Sequence, residues 1–277
     1  MPLPLVTRKS LRDNEEKLKE NVEKIQQALG VEWTYEFDFE TILAKCTEEY
    51  VKNDLGGLFY KDIAGNIADC IERCSKDEMS KEALVEANTA QKIVLIPNDD
   101  KKFNSYWKYE FVNGELRVYF KPNICNVSDL SYFKLETIIP SPGVYSLPAR
   151  INLKEKQEKF TESLEKVKAV TKMEWTLDES SLETVYPSLE KSYQDRIGEI
   201  FAEILDYACE NIVKRCGDEM VCEAVQEACP SGKIVFKFDA KQSEYWKWKF
   251  ADGELHISFK SICNTSDNCY YDFEKLL

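Results

Sequence analysis

The chain has 277 residues, 43% of them hydrophobic and 31% charged, which is enough apolar mass to bury a core and more length than one average domain takes. Fifty acidic against 37 basic side chains leave a formal charge of −13, which opposes sequence-independent attraction to nucleic acid or anionic lipid. The single histidine, His256, leaves no Ser-His-Asp triad or multi-histidine metal site in each half, and no apolar run approaches the roughly 20 residues that cross a bilayer.

Leu18, Val22, Ile25 and Leu29 are spaced four, three and four, so they share one helical face; we read it as core, although the period also suits a partner helix. After Trp33, the residues Phe39, Ile42, Leu43 and Cys46 predict a second helix, and Leu58 to Cys74 a longer third. A fourth starts at Asp77, whose carboxylate can cap free backbone N–H groups, and runs through Ala83, Leu84 and Ala87. Residues 92–96 then read as a strand.

The strongest local signal follows. Residues 106–111 and 116–121 alternate around Asn113-Gly114, the two positive-φ positions of a type I′ turn. A two-residue loop fixes the register, pairing Phe111 with Leu116, Tyr109 with Val118 and Trp107 with Phe120 on one apolar face. The strand at 92–96 is expected to complete a three-stranded antiparallel sheet under about four helices, an α+β layer.

The whole pattern then recurs. Glu32-Trp33-Thr34 returns as Glu174-Trp175-Thr176 at an offset of 142, and Arg73-Cys74 as Arg215-Cys216 at the same offset. Tyr106-Trp107-Lys108 returns as Tyr245-Trp246-Lys247 at 139, and Ile124-Cys125-Asn126 as Ile262-Cys263-Asn264 at 138. Offsets this steady mark a tandem duplication of a whole domain, since solenoid and propeller units are far shorter. The expected organisation is a first repeat over 1–139, a Pro-rich linker over 140–148 and a second repeat over 149–277. Residues 1–140 hold 25 acids and 19 bases and the rest 25 and 18, so neither half is a charged tail.

The same register defines an outer sheet face. It sets Tyr106 against Lys121, Lys108 against Tyr119 and Glu110 against Arg117; in the second repeat it sets Tyr245 against Lys260, Lys247 against Ser258 and Lys249 against His256. This cationic, tyrosine-bearing strip on an acidic protein suits phosphate, carboxylate or exposed-base contact. The plainer reading is a solubilising surface whose lysines pair with nearby acids.

Ten cysteines and two equivalent N-x-S sequons, at Asn126 and Asn264, make a secreted protein thinkable, with one bridge per repeat suggested by Cys74 and Cys125, and by Cys216 and Cys263. Other cysteines exchange with isoleucine between repeats, as Cys70 with Ile212 and Cys209 with Ile67, which is how buried thiols behave; a reducing, cytoplasmic setting is favoured. No C-x2-C pair, Ca2+ loop, phosphate loop or G-x-G-x-x-G appears, so no metal or cofactor is expected, and the acids Glu36, Asp38 and Glu40 read as solvated. Glu32 and Glu174 beside tryptophan, or Cys74 and Cys216 as nucleophiles, are the enzymatic candidates, each weaker than its structural reading.

These observations point to a non-enzymatic two-domain interaction protein of inhibitor, immunity-like or chaperone-like type. A protein partner is expected, a basic one being the electrostatic complement of the acidic excess, with no membrane and no sequence-independent nucleic-acid binding. The alternative is a small-ligand binder or carboxylate-dependent enzyme with a pocket between helices and sheet.

Overall fold

The computed structural model describes residues 3–46, 48–98 and 100–277. The chain divides into two units, Met1–Pro140 and Ser141–Leu277. Each is α+β, with helices and a four-stranded mixed sheet.

In the first unit, α1 (Leu5–Asp13) and α2 (Glu15–Leu29) meet at Asn14, whose side-chain amide donates to the Ser10 carbonyl and whose backbone leaves the helical region there. Gly30 closes α2 in the left-handed conformation that costs glycine nothing. Strand β1 (Thr34–Phe37) leads to α3 (Phe39–Lys45), α4 (Glu49–Asn53), a π-helical stretch Gly57–Ile63 and α5 (Ala64–Cys74). Helix α6 (Glu78–Ala87) is capped as its sequence predicts, Asp77 accepting from the Ser80 N–H at 2.8 Å. Strands β2 (Lys92–Pro97), β3 (Trp107–Val112) and β4 (Glu115–Phe120) follow, then a short α7 (Asp129–Tyr132).

The second unit repeats the plan. Its α8 (Leu147–Thr171) spans in one helix what α1 and α2 span in two; Ser146 caps it, and Pro148 sits in its first turn, where a missing N–H costs nothing. Residues 147 and 148, expected in the linker, are therefore helical. Strand β5 (Thr176–Leu177), α9 (Glu179–Val185), α10 (Lys191–Gln194), α11 (Ile197–Arg215) and α12 (Glu219–Ala228) precede β6 (Lys233–Phe238), β7 (Trp246–Ala251) and β8 (Glu254–Phe259).

The hairpin registers are those the turn chemistry predicts. Phe111 pairs with Leu116, Tyr109 with Val118 and Trp107 with Phe120, and in the second unit Trp246 pairs with Phe259 and Trp248 with Ile257. Asn113, Gly114, Asp252 and Gly253 all have positive φ. Trp107 and Trp246 point inward, and each indole donates to an equivalent carbonyl, Cys125 at 2.7 Å and Cys263 at 2.6 Å.

The sheet itself departs from the antiparallel three-stranded expectation. Strand order is β1-β2-β4-β3 in one unit and β5-β6-β8-β7 in the other. β2 runs parallel to β4 and β6 to β8, while β1 and β5 add a fourth, parallel strand. After β2 the chain resumes in β3 at the far edge of the sheet, beyond β4, so β3 and β4 return as a hairpin whose inner strand joins β2. Both arrangements bury Ile93 and Leu95 on the same face, so the apolar pattern alone does not choose between them.

Candidate interaction face

The outer sheet face is built by alternation: every second residue of β2, β3 and β4, or of β6, β7 and β8, turns away from the helices. In the first unit its charges pair among themselves. Lys92 meets Glu36 at 3.2 Å, Lys108 meets Glu110 at 3.2 Å and Arg117 meets Glu115 at 3.1 Å. Lys108 and Lys121 also lie over the rings of Tyr119 and Tyr106, at 5.6 and 5.2 Å. Such exposed pairs contribute little to stability and leave little net charge for a partner.

The second unit carries more positive charge at the matching positions. Lys237 stands where the first unit has Ile96, Lys249 where it has Glu110, His256 where it has Arg117 and Ser258 where it has Tyr119. Lys233 pairs with Glu254 at 3.2 Å, and Lys260 lies 4.7 Å over the Tyr245 ring. Among the described residues Lys247 and Lys249 make no ion pair.

His256 is only 9% exposed although it faces outward, because it is held between two neighbours. Its Nδ1 lies 3.1 Å from the Lys237 ammonium and its Nε2 3.2 Å from Glu254 Oε2. An ammonium can only donate, so Nδ1 accepts and the ring proton sits on Nε2, directed at the carboxylate. Hydrogen bonds from His256, then from Lys233, hold the Glu254 carboxyl below its usual range. The parallel pairing of β6 with β8 makes this cluster, since it brings Val235 opposite His256 and Lys237 one step further along. Lys237 was not a predicted site residue; it enters once β6 is known to lie beside β8.

The ten predicted residues thus divide five to each unit's sheet. Tyr106, Lys108, Arg117, Tyr119 and Lys121 lie together on the first unit's sheet, and Tyr245, Lys247, Lys249, His256 and Lys260 on the second's.

The enzymatic candidates do not converge on a site. Glu32 and Glu174 are exposed, Glu174 pairing with Lys168 at 2.9 Å. Burial pushes the Cys74 and Cys216 thiols up to about 12, which keeps them protonated and poor nucleophiles at neutral pH. All ten cysteines are free thiols, so the suggested bridges are not formed: Cys74 and Cys216 are buried at the ends of their helices, whereas Cys125 and Cys263 are exposed in loops. Glu36 pairs with Lys92, and Asp38 caps α3 through the Thr41 N–H; among the described residues no group of three or more His, Cys, Asp or Glu side chains could hold a metal. No described helix is long and apolar enough to cross a membrane.

Comparison with known proteins finds no family model, no curated protein and no solved structure that this chain matches.

Proposed function

We propose that this chain is a non-enzymatic interaction protein, and that the outer sheet face of its second unit receives an acidic segment of a protein partner. The observation that carries the reading is the pair of lysines on β7, Lys247 and Lys249, unpaired among the described residues and set beside Lys237 and Lys260 on a chain of net charge −13. A cationic patch in an acidic surround attracts carboxylates locally while repelling long polyanions, which gives selectivity through charge placement rather than through total charge.

The divergence between repeats supports the same reading. The first unit's charges pair among themselves, whereas the second has lysine in place of Ile96 and Glu110, histidine in place of Arg117 and serine in place of Tyr119. A surface needed only for solubility gains nothing from having Lys249 where the other repeat has Glu110. This reading takes the partner's charge from the cationic face rather than from the acidic remainder, which would suit a basic partner.

The test is charge reversal. Lys237→Glu, Lys247→Glu and Lys249→Glu combined should abolish capture of a partner that the parent chain holds at about 0.1 M salt and releases at about 0.5 M. Reversal of Lys154, Lys156 and Lys159 on α8 serves as the control and should leave capture intact. Equal capture by both triple variants would reject the face as the contact.

A further inference from the structure

The second unit has a partly open cavity of about 340 Å³ between α8, β5 and α9, at the edge strand of its sheet. Phe160 and Leu164 of α8 line it together with Trp175, Leu177 and Tyr145. Glu179 and Glu183, four residues apart and so on one face of α9, complete the wall. No lysine or arginine is among its lining residues.

The first unit fills the same place with rings. Tyr35 stands at the position of Leu177, Phe39 at that of Glu179, and Tyr60 at that of Ala202; Phe37 has no counterpart, because the second repeat is two residues shorter between strand and helix. Tyr35 and Phe37 stack with centroids 5.8 Å apart, Phe37 and Phe39 at 5.1 Å, and Phe37 meets Tyr60 at 5.3 Å. The first repeat thus sets a cluster of half-buried rings where the second has Leu177, Glu179 and Ala202, and its own hollow, lined by Leu3, Leu43 and Ala44, lies to one side of them. The second repeat gives up these ring contacts, while its two glutamates are exposed and Glu179 lies in the first turn of α9, so the carboxylates themselves cost little.

We infer that this cavity binds a small organic ammonium ion, its ring-sized apolar body against Phe160 and Trp175 and its cationic end between Glu179 and Glu183. The volume matches the small end of ligand sites. Aromatic walls favour a cation electrostatically as well as by apolar contact, and two uncompensated carboxylates turn away an anion of the same shape. The Tyr145 hydroxyl keeps its proton, held up by burial and then by the charges of Glu183 and Glu179, so it adds a neutral dipole to the rim. Trp175 is fixed in place by its indole N–H, which donates to Thr171 Oγ1 at 2.9 Å. The site shares no residue with the lysine face, so each stands or falls alone.

The whole chain is titrated with phenethylammonium chloride, and the indole N–H resonance of Trp175, assigned by its loss in Trp175→Phe, is followed by NMR. Saturable shifts below about 10 mM are expected, with phenylacetate and benzyl alcohol at the same concentrations weaker by roughly tenfold or more. The Glu179→Gln, Glu183→Gln double variant, altered only at exposed side chains, should lose roughly tenfold in affinity for the ammonium and none for the alcohol. Leu177→Tyr with Glu179→Phe, which places two of the first repeat's rings in the cavity, should abolish the shift while leaving the other indole resonances in place. An absent response to phenethylammonium, equal binding of phenylacetate, or unchanged affinity in either double variant would each overturn the assignment.

Discussion

Trp33 and Trp175 occupy equivalent positions and are both buried, yet only one is satisfied. Trp175 donates to Thr171 Oγ1, whereas the Trp33 indole nitrogen has no hydrogen-bond partner among the described residues, because Leu29 stands where the second repeat has Thr171. A buried donor without an acceptor carries its desolvation cost uncompensated. Trp33→Phe should therefore destabilise its unit less than Trp175→Phe destabilises the other, by about 1–2 kcal/mol, since the first removes an orphan donor along with the ring and the second breaks a bond. Amide hydrogen exchange of α5 and α11 peptides in the whole chain reads the two units separately; equal losses would contradict the argument. Both tryptophans are legible as core from sequence, and even the difference is legible once Thr171 is aligned with Leu29. His256 is a different case. Its outward register was predictable from the hairpin, but its near-complete burial depends on Lys237, which reaches it from a strand whose neighbour the sequence does not name.

Elements show the same division between local and non-local information. The hairpins were readable because Asn113-Gly114 and Asp252-Gly253 fix register within two residues, and the caps at Asp77 and Asp218 act within three. The position of β2 beside β4 was not readable, because it is decided by which edge of the sheet the chain takes for β3 and not by the alternation within the strand. β1 and β5 were missed for a related reason: four and two residues are too short to show alternation, and they become strands only by pairing with β2 and β6. Helix packing is marked more plainly than it first looks. A β-carbon on Gly56 would come within 2.1 Å of the Ser10 carbonyl oxygen, and one on Gly198 within 2.5 Å of the Asn152 carbonyl oxygen. These are equivalent glycines meeting equivalent helices, so the close crossing of the N-terminal helix over the long central one is inherited, and backbone rather than a flexible side chain stands in the way. Gly198→Ala should cost about 1–3 kcal/mol despite alanine's better helix propensity, with Gly65→Ala, whose β-carbon would meet only the Asn21 amide at 3.6 Å, near neutral or stabilising. Urea unfolding of the two variants checks the sign; a stabilised Gly198→Ala chain would mean that the helices can separate at no cost.

At the scale of the molecule the question is whether a duplicated sequence makes two independent folding units. Each repeat has the length of an ordinary domain, and the second unit's core cluster, from Ala149 through Phe201 and Trp248 to Phe273, draws no residue from the first. The first unit buries its own set, including Ile25, Trp33, Phe59, Ile67, Tyr109 and Phe120. Each sheet closes within its unit, so no strand is lent across the boundary at Pro140. Residues 1–140 and 141–277 made as separate polypeptides should therefore each show the near-UV circular dichroism of fixed aromatic packing and a cooperative thermal transition. Their summed spectrum should match that of the whole chain. The second fragment is expected to be the less stable per residue, because it lacks the stacked rings of the first at the edge of its core; phenethylammonium should then raise the midpoint of that fragment alone. A fragment that stays molten until its partner is added back would show that the duplication produced one folding unit and not two.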